Sequence, residues 1–203
     1  MLGWRVQPFV RSITSFLLAL GIVTLAASSS RAQSPAGWLD RPLAQWNQSG
    51  AALASPPSGA ESSAALARRC RSNAMKGSTI DALSKAGWVP FLHQDRSITR
   101  DDIEIVGGMS AASAGCEATV FNLFVFVAGN YAGTISPTSM TAARDGVVGA
   151  VRLTRADALT AEFARYTPKD TECCPSSRVR VSYRIERSGG RPLLAATEAR
   201  QIR

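Results

Sequence analysis

A single histidine, His93, is all the imidazole this chain has. A His–Asp relay or a histidine metal site needs partners that the run LHQD does not supply, so His93 reads as a strand-end or surface residue. No CxxC spacing occurs, which removes the usual zinc and redox-thiol patterns. No GxSxG elbow marks a serine nucleophile. The acids Asp95, Asp101, Asp102 and Glu104 lack DxDxDG spacing and stand beside Arg96 and Arg100, which argues against calcium. The basic residues form no run, so nucleic acid is not an expected partner. No internal repeat is visible. These absences lead to the expectation of a protein that is not an enzyme, with no catalytic residue, no cofactor and no metal site to name.

Long hydrophobic runs are scarce as well. Phe16 to Ala27 (FLLALGIVTLAA) spans twelve residues, which is short for a bilayer span. Arg5 and Arg11 precede it, and Ser30-Arg31-Ala32 follows as a small-x-small cleavage pattern. The combination reads as a secretory signal peptide over residues 1–32, cleaved after Ala32. No cysteine stands near that site, so a thioether lipid anchor has no attachment point. The expectation is an exported protein, periplasmic or secreted, soluble after cleavage and with no stable transmembrane segment. Loss of three arginines with the signal takes the net charge from +8 to +5. That charge is uneven: residues 33–143 hold eight Lys/Arg and eight Asp/Glu, whereas residues 144–203 hold twelve against seven.

Four cysteines remain, Cys70, Cys116, Cys173 and Cys174. An even count in an exported chain reads as two disulfides. A bond between the neighbours Cys173 and Cys174 requires a small ring, so each is expected to reach elsewhere, to Cys70 or Cys116. The preferred pairing is Cys70–Cys173 and Cys116–Cys174, giving a disulfide-stapled domain with two long covalent rings.

Residues 33–65 are rich in Ser, Ala, Pro, Gly and Gln, a composition that buries little and suggests a mobile segment. Trp38, Leu39, Leu43 and Trp46 are its exceptions. They either dock on the domain or form a partner-binding motif. Residues 66–203 read as one α+β domain, mainly antiparallel β-sheet of six to eight strands with one or two short helices. Ala64–Ser72 suits a helical turn holding Cys70. GSTIDALSKAGW suits a helix capped by Ser78 or Thr79 and ended by Gly87. Trp88–Leu92 reads as an edge strand because of Pro90, and Asp102–Val106 as a strand ending at Gly107-Gly108.

The centre of the domain is Ala118–Pro137. Seven of the eight residues Val120–Val127 are apolar, with only Asn122 interrupting, so this strand is expected to be buried on both faces. Gly129-Asn130 then suggests a type II′ hairpin turn into Tyr131–Ile135. Val147–Thr154 is a strand. Ala158–Tyr166 is ambiguous by composition, but its short connection favours a strand. Val179, Val181, Tyr183 and Ile185 alternate with Arg178, Arg180, Ser182, Arg184 and Glu186, predicting one buried and one basic face. Leu193–Thr197 pairs back.

The run VFNLFVFVAGNYAGTISPTSM, then RDG, then EFARYTPKDTECCPSS and the alternating strand, resembles the LppP/LprE lipoprotein family of bacterial envelope proteins. The resemblance covers roughly Ile103–Ile185. It implies an envelope location and maps no catalytic residues. Members of that family typically carry a lipid-anchored cysteine after the signal, where this chain has Ala32-Gln33.

Two functions are consistent with these features. The first is a non-enzymatic envelope binding module, engaging an envelope protein or cell-wall component through a basic, anion-binding face at Arg178, Arg180 and Arg184 or through the Trp38/Trp46 segment. The alternative is a carrier of an apolar or lipid ligand under a curved sheet, with Phe121, Leu123, Phe124 and Phe126 as possible lining.

Overall fold

The computed structural model describes residues 37–59, 61–92, 98–187 and 190–202. The signal segment, His93, Asp95, Arg96 and the Ser188-Gly189 turn lie outside the described residues. Two short helices, α1 (Ser63–Arg69) and α2 (Ser78–Lys85), precede all the strands. The strands are β1 (Val89–Phe91), β2 (Ile98–Arg100), β3 (Ile103–Ala112), β4 (Ala118–Val127), β5 (Asn130–Thr134), β6 (Met140–Thr141), β7 (Val148–Arg155), β8 (Ala158–Arg165), β9 (Ser177–Glu186) and β10 (Leu193–Ile202). All pairings are antiparallel.

The expected mainly antiparallel β-sheet with two short helices is found, but the strands form two sheets rather than one. The first sheet has six strands in the order β1-β3-β4-β5, with β2 added to β3 and β6 to β4; the second has four, β10-β9-β8-β7. The ten strands exceed the expected six to eight through β2 and β6, three and two residues long. Pieces that short carry no readable period.

β4 explains the layering. Its odd residues Phe121, Leu123, Val125 and Val127 join Leu159, Phe163, Val181 and Tyr183 of the second sheet in one buried cluster. Its even residues Phe124 and Phe126 pack with Ile80 and Leu83 of α2, Trp88 and Val106. The strand is therefore covered on both sides, as its unbroken apolar run requires. Asn122 is tolerated because its polar atoms are all bonded. Its Nδ2 donates to the carbonyls of Ser136 (3.0 Å) and Thr138 (3.3 Å), and its Oδ1 accepts from Leu123 N (2.8 Å). It thereby shapes the GTISP turn.

Three local expectations are corrected. The hairpin turns on Ala128-Gly129, both at positive φ (48° and 76°), with Val127 opposite Asn130. That is the type I′ hand, one residue earlier than the expected type II′. β3 does not stop at Gly107-Gly108. A Cβ on Gly107 would lie 2.6 Å from the Phe91 ring, and one on Gly108 would lie 2.9 Å from the Phe124 ring. These glycines make room for rings on the two faces of a continuous strand. Finally, α2 is preceded by Gly77 rather than capped by Ser78 or Thr79; the Thr79 hydroxyl instead donates to Glu104 (2.9 Å).

The segment before α1 docks along the domain. Trp38 meets Phe163 edge-on at 5.0 Å and Trp46 at 5.3 Å, and Trp46 meets Tyr183 at 6.2 Å. Asn47 is buried between the sheets' edges. Its Nδ2 donates to Thr134 O of β5 (2.9 Å) and to Leu194 O of β10 (3.0 Å), and its Oδ1 accepts from Thr134 N (2.9 Å). Gln45 adds a bond to Leu194 O (3.1 Å) and accepts from Ala196 N (3.3 Å). The segment closes the seam between β5 and β10, and the docking alternative for Trp38 and Trp46 is the one realised.

Candidate functional site: the outer face of the second sheet and its cysteine loop

The alternation in β9 falls as expected. Val179, Val181, Tyr183 and Ile185 are buried, while Arg178 and Arg184 are exposed and Arg180 is half-buried. The pairing register extends this basic face to both neighbours. Arg180 lies opposite Glu162 of β8 and Arg200 of β10; Ser182 lies opposite Thr160 and Glu198; Thr160 in turn faces Arg152 of β7. Five arginines, Arg152, Arg178, Arg180, Arg184 and Arg200, therefore share one sheet face with three glutamates, Glu162, Glu186 and Glu198. Arg180 is drawn to Glu162 (2.7 Å). Among the described residues, no carboxylate forms an ion pair with Arg178 or Arg184. Arg152 and Arg200 escape a strand-by-strand reading because only the register brings them onto the face of β9.

The loop between β8 and β9 borders this face. A shallow depression of about 360 Å³ is lined by Val147, Glu162, Tyr166, Cys173, Pro175 and Arg178. The loop is held by its own polar groups. Tyr166 Oη donates to Glu172 O (2.7 Å). The Asp170 carboxylate accepts from Thr167 N (2.8 Å) and Ser176 N (2.9 Å), and also from the Ser176 hydroxyl. Those donors, the Ser176 hydroxyl first, pull the Asp170 carboxyl down to about 2.

The cysteines do not pair as expected. Cys70 bonds to Cys116, with Cα atoms 5.4 Å apart, and Cys173 bonds to Cys174. The packing of α1 accounts for this. Leu66 is fully buried in the inter-sheet cluster and Cys70 packs beside it. Arg69, next in line, donates to Ser113 O (2.9 Å) at the β3–β4 turn that carries Cys116. Cys70 thus finds its partner in the first sheet, whereas Cys173 and Cys174 sit on a loop of the second sheet and have each other.

The acids weighed for calcium disperse among other partners. Asp102 pairs with Arg187 and Glu104 accepts from Thr79. Asp145 of the RDG turn does more than bend the chain: its carboxylate accepts from Arg165 Nε (2.7 Å) and Tyr166 N (3.0 Å). Arg165 also reaches Asp40 (2.5 Å), which ties the start of the N-terminal segment to β8.

Among the described residues no helix is long and apolar enough to cross a membrane. No curated protein and no solved structure matches the chain. Over residues 104–188, from the second position of β3 to just past β9, the chain matches the family model described as LppP/LprE lipoprotein.

Proposed function

We propose that this chain is a non-enzymatic binding module of the bacterial envelope that engages an anionic partner through the outer face of its second sheet. The family match supports the envelope setting. The observation that carries the binding reading is the cluster of five arginines against three glutamates on one open sheet face. Such a face raises the local concentration of anions and speeds their encounter. Guanidinium groups suit carboxylate or phosphate recognition in two-pronged fashion. An envelope protein or a cell-wall polymer of negative charge fits this chemistry.

Replacing Arg178, Arg180 and Arg184 together by Ser tests the reading. Cosedimentation with isolated envelope fragments should weaken by about tenfold or more and become less salt-dependent. The melting temperature should hardly move for the exposed Arg178 and Arg184, since exposed substitutions usually change stability by less than about 0.5 kcal/mol, and Arg180→Ser should add only a modest fall from the loss of its pair with Glu162. Undiminished cosedimentation rejects the face as a binding surface.

Carriage of an apolar ligand has one observation in its favour. A cleft of about 340 Å³ between the N-terminal segment and the first sheet is walled by Trp46, Trp88, Phe124 and Tyr131. It lies outside the sheet pair, whose interior is filled by Leu123, Leu159, Phe163 and Tyr183. Native mass spectrometry of protein purified from cells distinguishes the two readings, because a carrier retains extra lipid mass.

A further inference from the structure

Cys173 and Cys174 differ from the other cysteine pair in every respect that governs chemical access. Both are exposed on the β8–β9 loop, whereas Cys70 and Cys116 are half-buried. Cys116 is further screened by Arg69, whose Nη1 lies 3.5 Å from its sulfur. The Cys173–Cys174 bond closes a ring between sequence neighbours, so it restrains almost none of the chain. The loop does not depend on it either. Asp170, Tyr166 and the turn bond from Cys174 N to Thr171 O (3.0 Å) hold the backbone independently. Opening this bond leaves two adjacent thiols in place rather than releasing a segment.

One neighbour makes the two sulfurs unequal. The Thr171 hydroxyl lies 3.2 Å from Cys173 Sγ. A disulfide sulfur carries no proton, so the hydroxyl is the donor. That bond strengthens when the sulfur becomes a thiolate, because hydrogen bonds to charged acceptors are the stronger ones. Cys173 is therefore the better leaving group.

We propose that Cys173–Cys174 is a thiol–disulfide exchange site that accepts two electrons from a dithiol reductant, with Cys174 attacked and Cys173 leaving. One thiolate of the reductant attacks Cys174 Sγ. The Cys173–Cys174 bond breaks, a mixed disulfide forms, and the electron pair stays on Cys173 Sγ under the Thr171 hydroxyl. The reductant's second thiol, deprotonated, attacks its own sulfur in the mixed disulfide and releases Cys174 as a thiolate. The two protons lost by the reductant end on Cys173 and Cys174, and the reductant departs as its disulfide. Run backwards, the same steps oxidise a partner's dithiol. The site borders the arginine face, since Cys173 and Arg178 line the same depression, but it does not depend on that face binding anything.

The test is a titration of the purified protein with dithiothreitol, followed by rapid alkylation and peptide mapping. Cys173 and Cys174 should become labelled at reductant concentrations about tenfold or more below those that expose Cys70 and Cys116, with the melting temperature lowered by a few degrees at most. Thr171→Val should slow the opening of Cys173–Cys174 by about tenfold, the value of one hydrogen bond to a charged group. It should also move the alkylation of Cys173 to higher pH, and leave Cys70–Cys116 unaffected. Thr171→Ser, which keeps the hydroxyl, should restore the rate. Opening of Cys70–Cys116 first or simultaneously overturns the proposal. So does a Thr171→Val variant that reduces at the native rate.

Discussion

Asn47 does the work of several residues. One amide, buried among apolar neighbours, bonds to β5 twice and to β10 once. Its fit depends on Gly133, where a Cβ would stand 2.3 Å from the Asn47 amide carbon. Gly133 also adopts φ +145°, which side chains rarely allow. Asn47→Ala would leave the carbonyls of Thr134 and Leu194 and the amide of Thr134 short of a partner. Trp46 Nε1 still reaches Thr134 O (3.0 Å) and Gln45 still reaches Leu194 O, so the orphaning is partial. A loss of about 2 kcal/mol is expected. That corresponds to a fall of roughly 4–8 °C in melting temperature for a domain this size. Asn47→Asp, which keeps one acceptor but turns a second, charged oxygen toward the two carbonyls, should be at least as destabilising as Ala. Equal melting temperatures for Asn47→Ala and wild type would show that the seam between the sheets closes without it.

At the scale of elements, what was legible in the sequence divides by mechanism. β4 declared itself because burial on both faces forces an unbroken apolar run, and β9 because burial on one face forces alternation. β8 followed from its short connection to β7. The N-terminal segment showed only its tryptophans, as one of two alternatives, and not the seam it closes. Its attachment uses one asparagine, one glutamine and two tryptophans, and such side chains leave no period. The hairpin turn was placed one residue late because Ala128 adopts a positive φ, an uncommon choice for alanine. The arginine face was half legible: Arg178, Arg180 and Arg184 share one strand, while Arg152 and Arg200 arrive through strand register. The segment's start also rests on charge. The Arg165 guanidinium, through its hydrogen bond to Asp40, holds that carboxyl below its ordinary value of 3.8. A lowered carboxyl favours the folded state above pH 3.8, and the advantage disappears as pH falls through the depressed value. The contact around Trp38 should therefore be indifferent to pH near neutrality and loosen below pH 3.8. Tryptophan fluorescence during acid titration reads this directly. Asp40→Asn should remove the component below pH 3.8 that belongs to Trp38. If the acid-dependent signal is identical in the variant, the Asp40–Arg165 pair does not hold the segment.

For the whole molecule, the decisive fact is how unequally the two disulfides act. Expecting two long rings meant expecting two comparable staples. Cys70–Cys116 closes a separation of 46 residues, whereas Cys173–Cys174 closes a separation of one. In the chain-entropy model the first contributes about 4 kcal/mol and the second only about 1 kcal/mol. The long ring also does structural work that the short one cannot. It links α1, whose Leu66 belongs to the inter-sheet cluster, to the β3–β4 turn. Domains are typically stable by about 5–15 kcal/mol, so losing the long ring alone removes a large share of the margin. Cys70→Ser with Cys116→Ser should lower the melting temperature by roughly 8–16 °C. Cys173→Ser with Cys174→Ser should lower it by a few degrees at most, and the two effects should add, since the pairs stand on different sheets. Thermal melts of the two double variants and of the variant lacking all four cysteines, each read by circular dichroism, give the comparison. If the Cys173/Cys174 variant proves the less stable of the two, the β8–β9 loop is a staple of the fold after all. In that case the long ring between α1 and the β3–β4 turn is not what secures the domain.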